Sequence, residues 1–260
     1  MKLKIPVIAI CLLGVVSFAT TYLRHDGQFT SLYTSKAQTT ELPTPVQEGV
    51  MTETQKQHSR LFGGYKQDVT RGKTLHELVL EKGDVQVGRG IGNVILPRSF
   101  STKEYLADLS CKADAVVIGT VTDKSSNLTE DGSFTFTEYK FVAEEVIKDT
   151  STARIHANTS IIIVRASGAI RLLGHVVRAT DHSEKPLAVG ERYLLFLRFV
   201  PTTGAYRSFS NALLDDTFKL EGNQITQVSD QPLPLGANRP ADSSPFLTEV
   251  RASSLNSSAK

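Results

Sequence analysis

Metal binding needs His, Asp, Glu or Cys side chains that converge on one ion, and the nearest approach to such a cluster is His175 with Asp181 and His182. Their spacings match no recognised ligand motif, and they fall where a strand is predicted to run into a loop, so they read as solvated loop residues. Nucleophilic catalysis needs a Ser or Cys beside a base and an orienting acid. No Gly-x-Ser-x-Gly elbow is present, and Cys111 lies at a predicted helix-to-strand junction, where it reads as a small buried hydrophobe without a disulfide. Asp114 and Glu191 flank the two segments read as central strands, and paired carboxylates do acid–base work when they share a pocket. The simpler expectation is that Asp114 caps the chain entering one strand and Glu191 closes the turn before the other. Arg165, Arg171, Arg178, Lys185, Arg192 and Arg198 outnumber Asp181, Glu184 and Glu191 in the middle of the chain. They read either as an anion-binding face or as edge charges that oppose sheet-to-sheet aggregation. Gly88, Gly90 and Gly92 follow no convincing strand and open no helix, so they lack the setting of a phosphate loop and read as a glycine-rich turn or hairpin. These residues assign no catalytic group, no metal ligand and no cofactor, and they leave any binding residues unknown.

The elements that would position such groups are mostly strands. Ser101 and Glu104 form a capping box ahead of Tyr105, Leu106 and Leu109 at helical spacing, which predicts a short helix to about Cys111. Ala113–Thr122 is apolar on both faces, as a central strand must be, with Gly119 placed for a bend or a close approach. After the turn signal Asp131-Gly132, residues 134–147 alternate through Phe134 and Phe136 and then through Tyr139, Phe141 and Ala143. That change of parity predicts a bulge or bend near Glu138, and places Thr135 toward solvent. Ile161–Arg165 and Leu172–Arg178 are further strand candidates. Tyr193–Val200 reads as a second central strand, followed by Ala205–Ser210 and by Phe218–Leu220 and Gln224–Val228 joined through Gly222-Asn223. About seven short strands without a βαβ rhythm predict a mainly β fold.

Around this domain, assigned to residues 101–228, the signals weaken. Residues 61–100 suggest a helix over Lys73–Glu81, with Leu75, Leu78 and Val79 inward, and a hairpin over Val85–Leu96. Residues 24–60 are rich in Thr, Ser, Gln and Glu and read as a disordered tether. Residues 229–260 read as a tail with a short helix over 245–255, inward through Phe246, Leu247, Val250 and Leu255. At the amino end, Lys2 and Lys4 precede an uncharged apolar run from Ile5 to Leu23, the pattern of an export signal. Small residues at Ser17 and Ala19 suit cleavage after Ala19, giving a periplasmic or secreted protein. The run of about 20 residues also suffices for an uncleaved single-pass anchor, which would be the one membrane contact. Both readings place the rest of the chain outside the cytoplasm. Cys11 follows Ile10, not a small residue, and reads as apolar filler. A net charge of +2 with no long Lys/Arg run speaks against a nucleic-acid partner, and two cysteines in 260 residues provide no disulfide framework.

The segment Cys111-Lys112-Ala113-Asp114-Ala115-Val116-Val117-Ile118-Gly119-Thr120-Val121, then Phe141–Lys148, then Gly190-Glu191-Arg192-Tyr193-Leu194-Leu195-Phe196-Leu197 resembles the netrin-like module of tissue inhibitors of metalloproteinases. It also looks like a group of bacterial exported proteins with the same Ala-Asp start and Gly-Glu-x-Tyr-Leu-Leu-Phe-Leu strand. The resemblance covers fewer than half of the residues and implies an OB-like, closed or nearly closed antiparallel barrel with short flanking helices. The animal inhibitors chelate a protease zinc through a free amino-terminal cysteine. Cys111 lies deep in the chain behind a helix, so that chemistry does not carry over. The resulting expectation is a cell-envelope module that binds a protein or polymer, and the alternative is an extracytoplasmic enzyme whose site is assembled from loops.

Overall fold

The structure, a computed structural model, describes residues 46–47, 50–63, 70–89, 101–181, 184–208, 216–228 and 241–258, all within the compact unit Pro43–Lys260. In chain order the described elements are β1 (Val46–Gln47), α1 (Glu53–Arg60), α2 (Leu75–Lys82), β2 (Val85–Arg89), α3 (Thr102–Lys112), β3 (Ala115–Leu128) and β4 (Thr135–Asp149). Then follow β5 (Thr159–Leu172), β6 (His175–Asp181), β7 (Arg192–Val200), β8 (Ala205–Ser208), β9 (Thr217–Glu221), β10 (Gln224–Gln227), β11 (Ala241–Asp242) and α4 (Ser243–Ser258). The fold is mainly β. The leader, much of the segment read as a tether, His182, Gly90 and Gly92 lie outside the described residues.

Local chemistry starts three of the helices. Thr52, Thr74 and Ser101 each accept a hydrogen bond from the backbone N–H three residues on, and Gln55, Glu77 and Glu104 accept one back from the cap residue's N–H. Each reciprocal pair satisfies two donors that a helix start would otherwise leave open. The Ser101 backbone N–H is the main cause holding the Glu104 carboxyl below its usual range. Helix α1 lies in the stretch whose composition predicts a tether. Its Thr-x-x-Gln start and its buried His58 and Ser59 order it against the sheet.

Strand neighbours run β11-β10-β9-β7-β3-β4-β5-β6-β2, and β8 pairs with both β5 and β7. Pairing therefore passes from β3 through β4, β5, β8 and β7 and returns to β3. The pairs β1–β5, β5–β8 and β2–β6 are parallel, the rest antiparallel. Strands β3 and β7 are interior, as their two-sided apolarity predicts. Ala115, Val117 and Val121 join Tyr193, Leu195 and Leu197 in one core, while Val116, Ile118, Leu194 and Phe196 join Tyr105, Leu106 and Leu109 of α3 and Phe246 and Val250 of α4 in another. The helices on either side of the strand segment thus cover the outer face. At Gly119 any Cβ would lie 2.0 Å from the Val142 carbonyl oxygen, so glycine is required by close approach.

A third core explains the parity change in β4. Phe134 and Phe136 pack with Phe62, with Leu75, Leu78 and Val79 of α2 and with Val85 and Val87 of β2, whereas Tyr139, Phe141 and Ala143 enter the core shared with Val117 and Leu195. The ladder is regular through Glu138, which opposes Ser125 and Val164. The irregularities lie elsewhere, leaving Thr122 of β3 and Glu144 and Ile147 of β4 without a partner in the β3–β4 register. A strand covered on one face at one end and on the other face at the other changes its apolar parity without a register shift at the change. The same double cover buries Thr135, expected outside, whose Oγ1 donates to the Gly168 carbonyl at 3.2 Å.

Two further expectations are revised. The predicted strand Leu172–Arg178 is divided by a turn at Leu173 and Gly174, both with positive φ, joining β5 to β6. β2 adds parallel to β6, with Gly88 opposite Thr180, and the rest of the hairpin expected over Val85–Leu96 lies outside the described residues. On α4, Phe246 and Val250 are buried but Leu255 is 70% exposed.

Candidate functional site

The interior of the strand ring is apolar toward Ala115 and polar toward Thr135. Arg165 is the largest fully buried side chain in the described residues. Its Nη1 donates to the Lys185 carbonyl at 2.7 Å, and its Nη2 reaches Ser208 Oγ at 2.8 Å, Thr217 Oγ1, and Asp216 Oδ1 at 3.4 Å. Asp216 also accepts from the Ser208 and Thr217 hydroxyls. Glu184 Oε2 accepts from the Ala166 N–H at 2.7 Å, and burial pushes its carboxyl up to about 7, partly countered by Arg165. The Leu187 N–H donates to Tyr139 Oη and the Ala188 N–H to Tyr193 Oη; burial raises the Tyr139 phenol to about 12. Glu184–Ala188 is thus a plug tied across this end of the ring. A charge sealed in this way must be paired, and the carboxylates, hydroxyls and carbonyl around Arg165 do so. The arrangement is structural in kind, because Glu184 ties the plug to Ala166 of β5 and Tyr139 ties it through Leu187.

A second polar pair clamps α1. His58, 2% exposed, brings Nδ1 to 2.5 Å from Glu138 Oε1, and Gln55 Nε2 donates to Glu138 Oε2 at 3.3 Å. The Glu130 N–H donates to Ser59 Oγ, and the Phe62 and Phe136 rings stack 5.9 Å apart. These contacts fix the helix over the β3–β4 hairpin.

Two surface clefts flank α2. One, of about 420 Å³, lies between the start of α1 (Met51, Lys56), the first turn of α2 (Thr74, His76) and the hairpin residues Asn127–Gly132. The other, of about 580 Å³, lies between Arg71, Lys73 and Lys82 on one side and Val85–Gly88 on the other. Both volumes are of the size that holds ligands or short peptide segments. Neither cleft is lined by Arg165, Glu184 or Asp216.

No family model and no curated relative matches the chain. The site must be judged on its own geometry.

That geometry separates most of the predicted candidates. His175 and Asp181 stand at opposite ends of β6, His175 exposed and 3.4 Å from Asp84, Asp181 buried and 3.7 Å from Arg89. Among the described residues no group of three or more His, Cys, Asp or Glu could hold a metal. Asp114 and Glu191 lie at opposite ends of the β3–β7 ladder, so they share no pocket. Asp114 accepts from the Phe199 N–H at 2.9 Å and Glu191 pairs with Lys219 at 3.1 Å. The six basic residues form no single face, since Arg165 is buried in the ring and Arg192 pairs with Glu144 at 2.6 Å.

Cys111 is exposed, not buried. Tyr105, Leu106 and Leu109 set the inward face of α3, and at about 100° per residue position 111 falls on the far side. Its neighbourhood is nonetheless ordered, because Lys148 Nζ donates to the carbonyls of Ser110 and Ala113 at 2.6 and 2.8 Å, closing the end of α3. Desolvation lowers the Lys148 ammonium from its usual range. Sequence reasoning placed α2 with Leu75, Leu78 and Val79 inward, but it missed α1 and assigned no role to the residues lining the clefts beside the two helices. Thr52-x-x-Gln55 and Thr74-x-x-Glu77 were the available signals, whereas nothing local announces that Arg165 and Asp216 pair across 51 positions.

Proposed function

We propose that this chain is an exported cell-envelope binding module that engages a protein or polymer through the surface built by residues 50–63 and 70–89. The observation that carries this reading is that neither cleft is lined by Glu184 or Tyr139, the buried groups whose pKa is strongly raised, and that the shifted group at a cleft, Asp84, is an exposed carboxylate held down by the Val176 N–H. An enzyme places its shifted ionisable groups in the cleft that takes the substrate. Here Glu184 is buried within the plug and Tyr139 beneath it, while the open clefts are walled by exposed side chains, helix ends and a strand edge. The surface of α2 offers area and shape for recognition, on a helix fixed by Leu75, Leu78 and Val79.

The netrin-like resemblance and an OB-like barrel belong to the same proposal. Support comes from the pairing of β8 with both β5 and β7 and from the common core of Val117, Tyr139, Leu195 and Tyr206 inside the five strands it links. Export rests on the charged and apolar pattern of residues 2–24. The zinc-chelating chemistry of the animal inhibitors forms no part of it.

Photo-crosslinking in intact cells tests the proposal. A photoreactive residue at His76 is expected to give a discrete adduct of constant mass, and one at exposed Leu255 is expected to give none. A His76 probe that yields no adduct, together with turnover of a small-molecule substrate by the purified chain, would replace binding with catalysis.

A further inference from the structure

The cleft beside β2 has an unusual wall. Successive side chains of a strand point to opposite faces, yet four consecutive residues, Val85 to Gly88, line this one cleft. Val85 and Val87 are buried in the core against α2 and β6, and Gln86 and Gly88 are exposed. A cleft touched by both sets therefore runs along the backbone edge of the strand and not over either face. The other edge of β2 is paired with β6 from Val85↔Val177 to Arg89↔Asp181, and among the described residues no strand pairs with the edge that faces the cleft.

Natural sheets blunt such edges with proline, bulges or inward charges, and Val85–Gly88 carries none of these. Gly88 also lets a second backbone come close. The opposite wall supplies a preference of sign. Arg71 and Lys82 make no ion pair with a described residue, whereas the two cleft acids are engaged, Glu81 with Lys73 at 2.5 Å and Asp84 with the Val176 N–H at 2.9 Å. Among the described residues, two cations without an ion pair thus face a strand edge without a partner strand.

We propose that the β2 edge takes up an extended acidic peptide segment of a partner protein by strand addition, with backbone hydrogen bonds to Val85–Gly88 and its carboxylates against Arg71 and Lys82. This rests on the binding-module reading and names the partner chemistry of one of its two clefts. Main-chain pairing supplies the affinity and the cations supply the choice among extended segments.

The probe is a six-residue peptide alternating glutamate and valine, titrated into the chain beginning at Pro43 while amide exchange is followed by NMR. Alternate amides of Val85–Gly88 are expected to become protected, and the Arg71→Glu, Lys82→Glu double variant to bind about tenfold more weakly, with binding weakened by salt. Both positions are exposed, so this variant keeps the fold. A peptide methylated at alternate backbone nitrogens that binds equally well overturns strand addition, and an equally bound lysine–valine peptide overturns the acidic preference. A second copy as the occupant would show as concentration-dependent dimerisation that protects the same amides without peptide, and would overturn the proposal. Absence of peptide binding while the His76 probe still forms its adduct overturns strand addition and leaves the binding-module reading standing.

Discussion

Glu184 illustrates how a buried side chain reports on the whole fold. Burial raises its carboxyl from 4.5 to about 7, so the folded state holds a proton that the unfolded state has already lost between those values. The associated stability is fully present below pH 4.5 and is lost as pH rises through 7, an effect of about 3 kcal/mol at most. Glu184→Gln keeps a side-chain oxygen for the Ala166 N–H and should flatten this dependence. Urea unfolding between pH 5 and pH 8 is expected to show the natural chain losing stability across the range and the variant losing little. Cys111 makes the opposite case, since it is exposed and free. A thiol reagent should label it completely in the folded protein, and Cys111→Ala should change stability by no more than about 0.5 kcal/mol, the usual range for surface positions. Slow labelling limited by unfolding would show that the position is covered in solution.

At the scale of elements, the β5–β6 hairpin carries a mismatch between residue and turn. Leu173 has φ 51° and Gly174 φ 86°, a two-residue turn in which both residues are left-handed, and Leu173 is 57% exposed. Asn tolerates that conformation better than leucine, so Leu173→Asn should stabilise by about 0.5–1 kcal/mol, visible as a raised denaturation midpoint. The long strands make a sharper test. Val117 and Thr135 are both fully buried, one in the ring core and one between β4 and β5 beside Gly168, while Lys140 on the same β4 is exposed. Asp at Val117 or at Thr135 should prevent folding by burying an unpaired charge, and Lys140→Asp should remain folded by circular dichroism. Folding of Thr135→Asp would mean that β4 is covered on one face only at that end.

At the scale of the molecule, α1 decides where the folded unit begins. His58, Ser59 and Phe62 join this helix region to Glu138, Glu130 and Phe136, and β1 adds to β5 at Ile170 and Arg171. A chain starting at Pro43 should therefore melt several degrees above one starting at Leu61, which lacks the helix and bares part of β4. Equal melting temperatures would return α1 to the tether. The amino-acid sequence by itself determined the mainly β character, the two interior strands and the capped helix before Ala113, because apolar pattern and capping boxes act over a few residues. It also held the starts of α1 and α2 in two further capping boxes. Only the tertiary structure decided that Thr135 is inside, that Cys111 is outside, that β2 runs parallel to β6 and that Arg165 meets Asp216 beneath a plug. Each of these depends on which distant element covers a given face, and neighbouring residues along the chain carry no record of that choice.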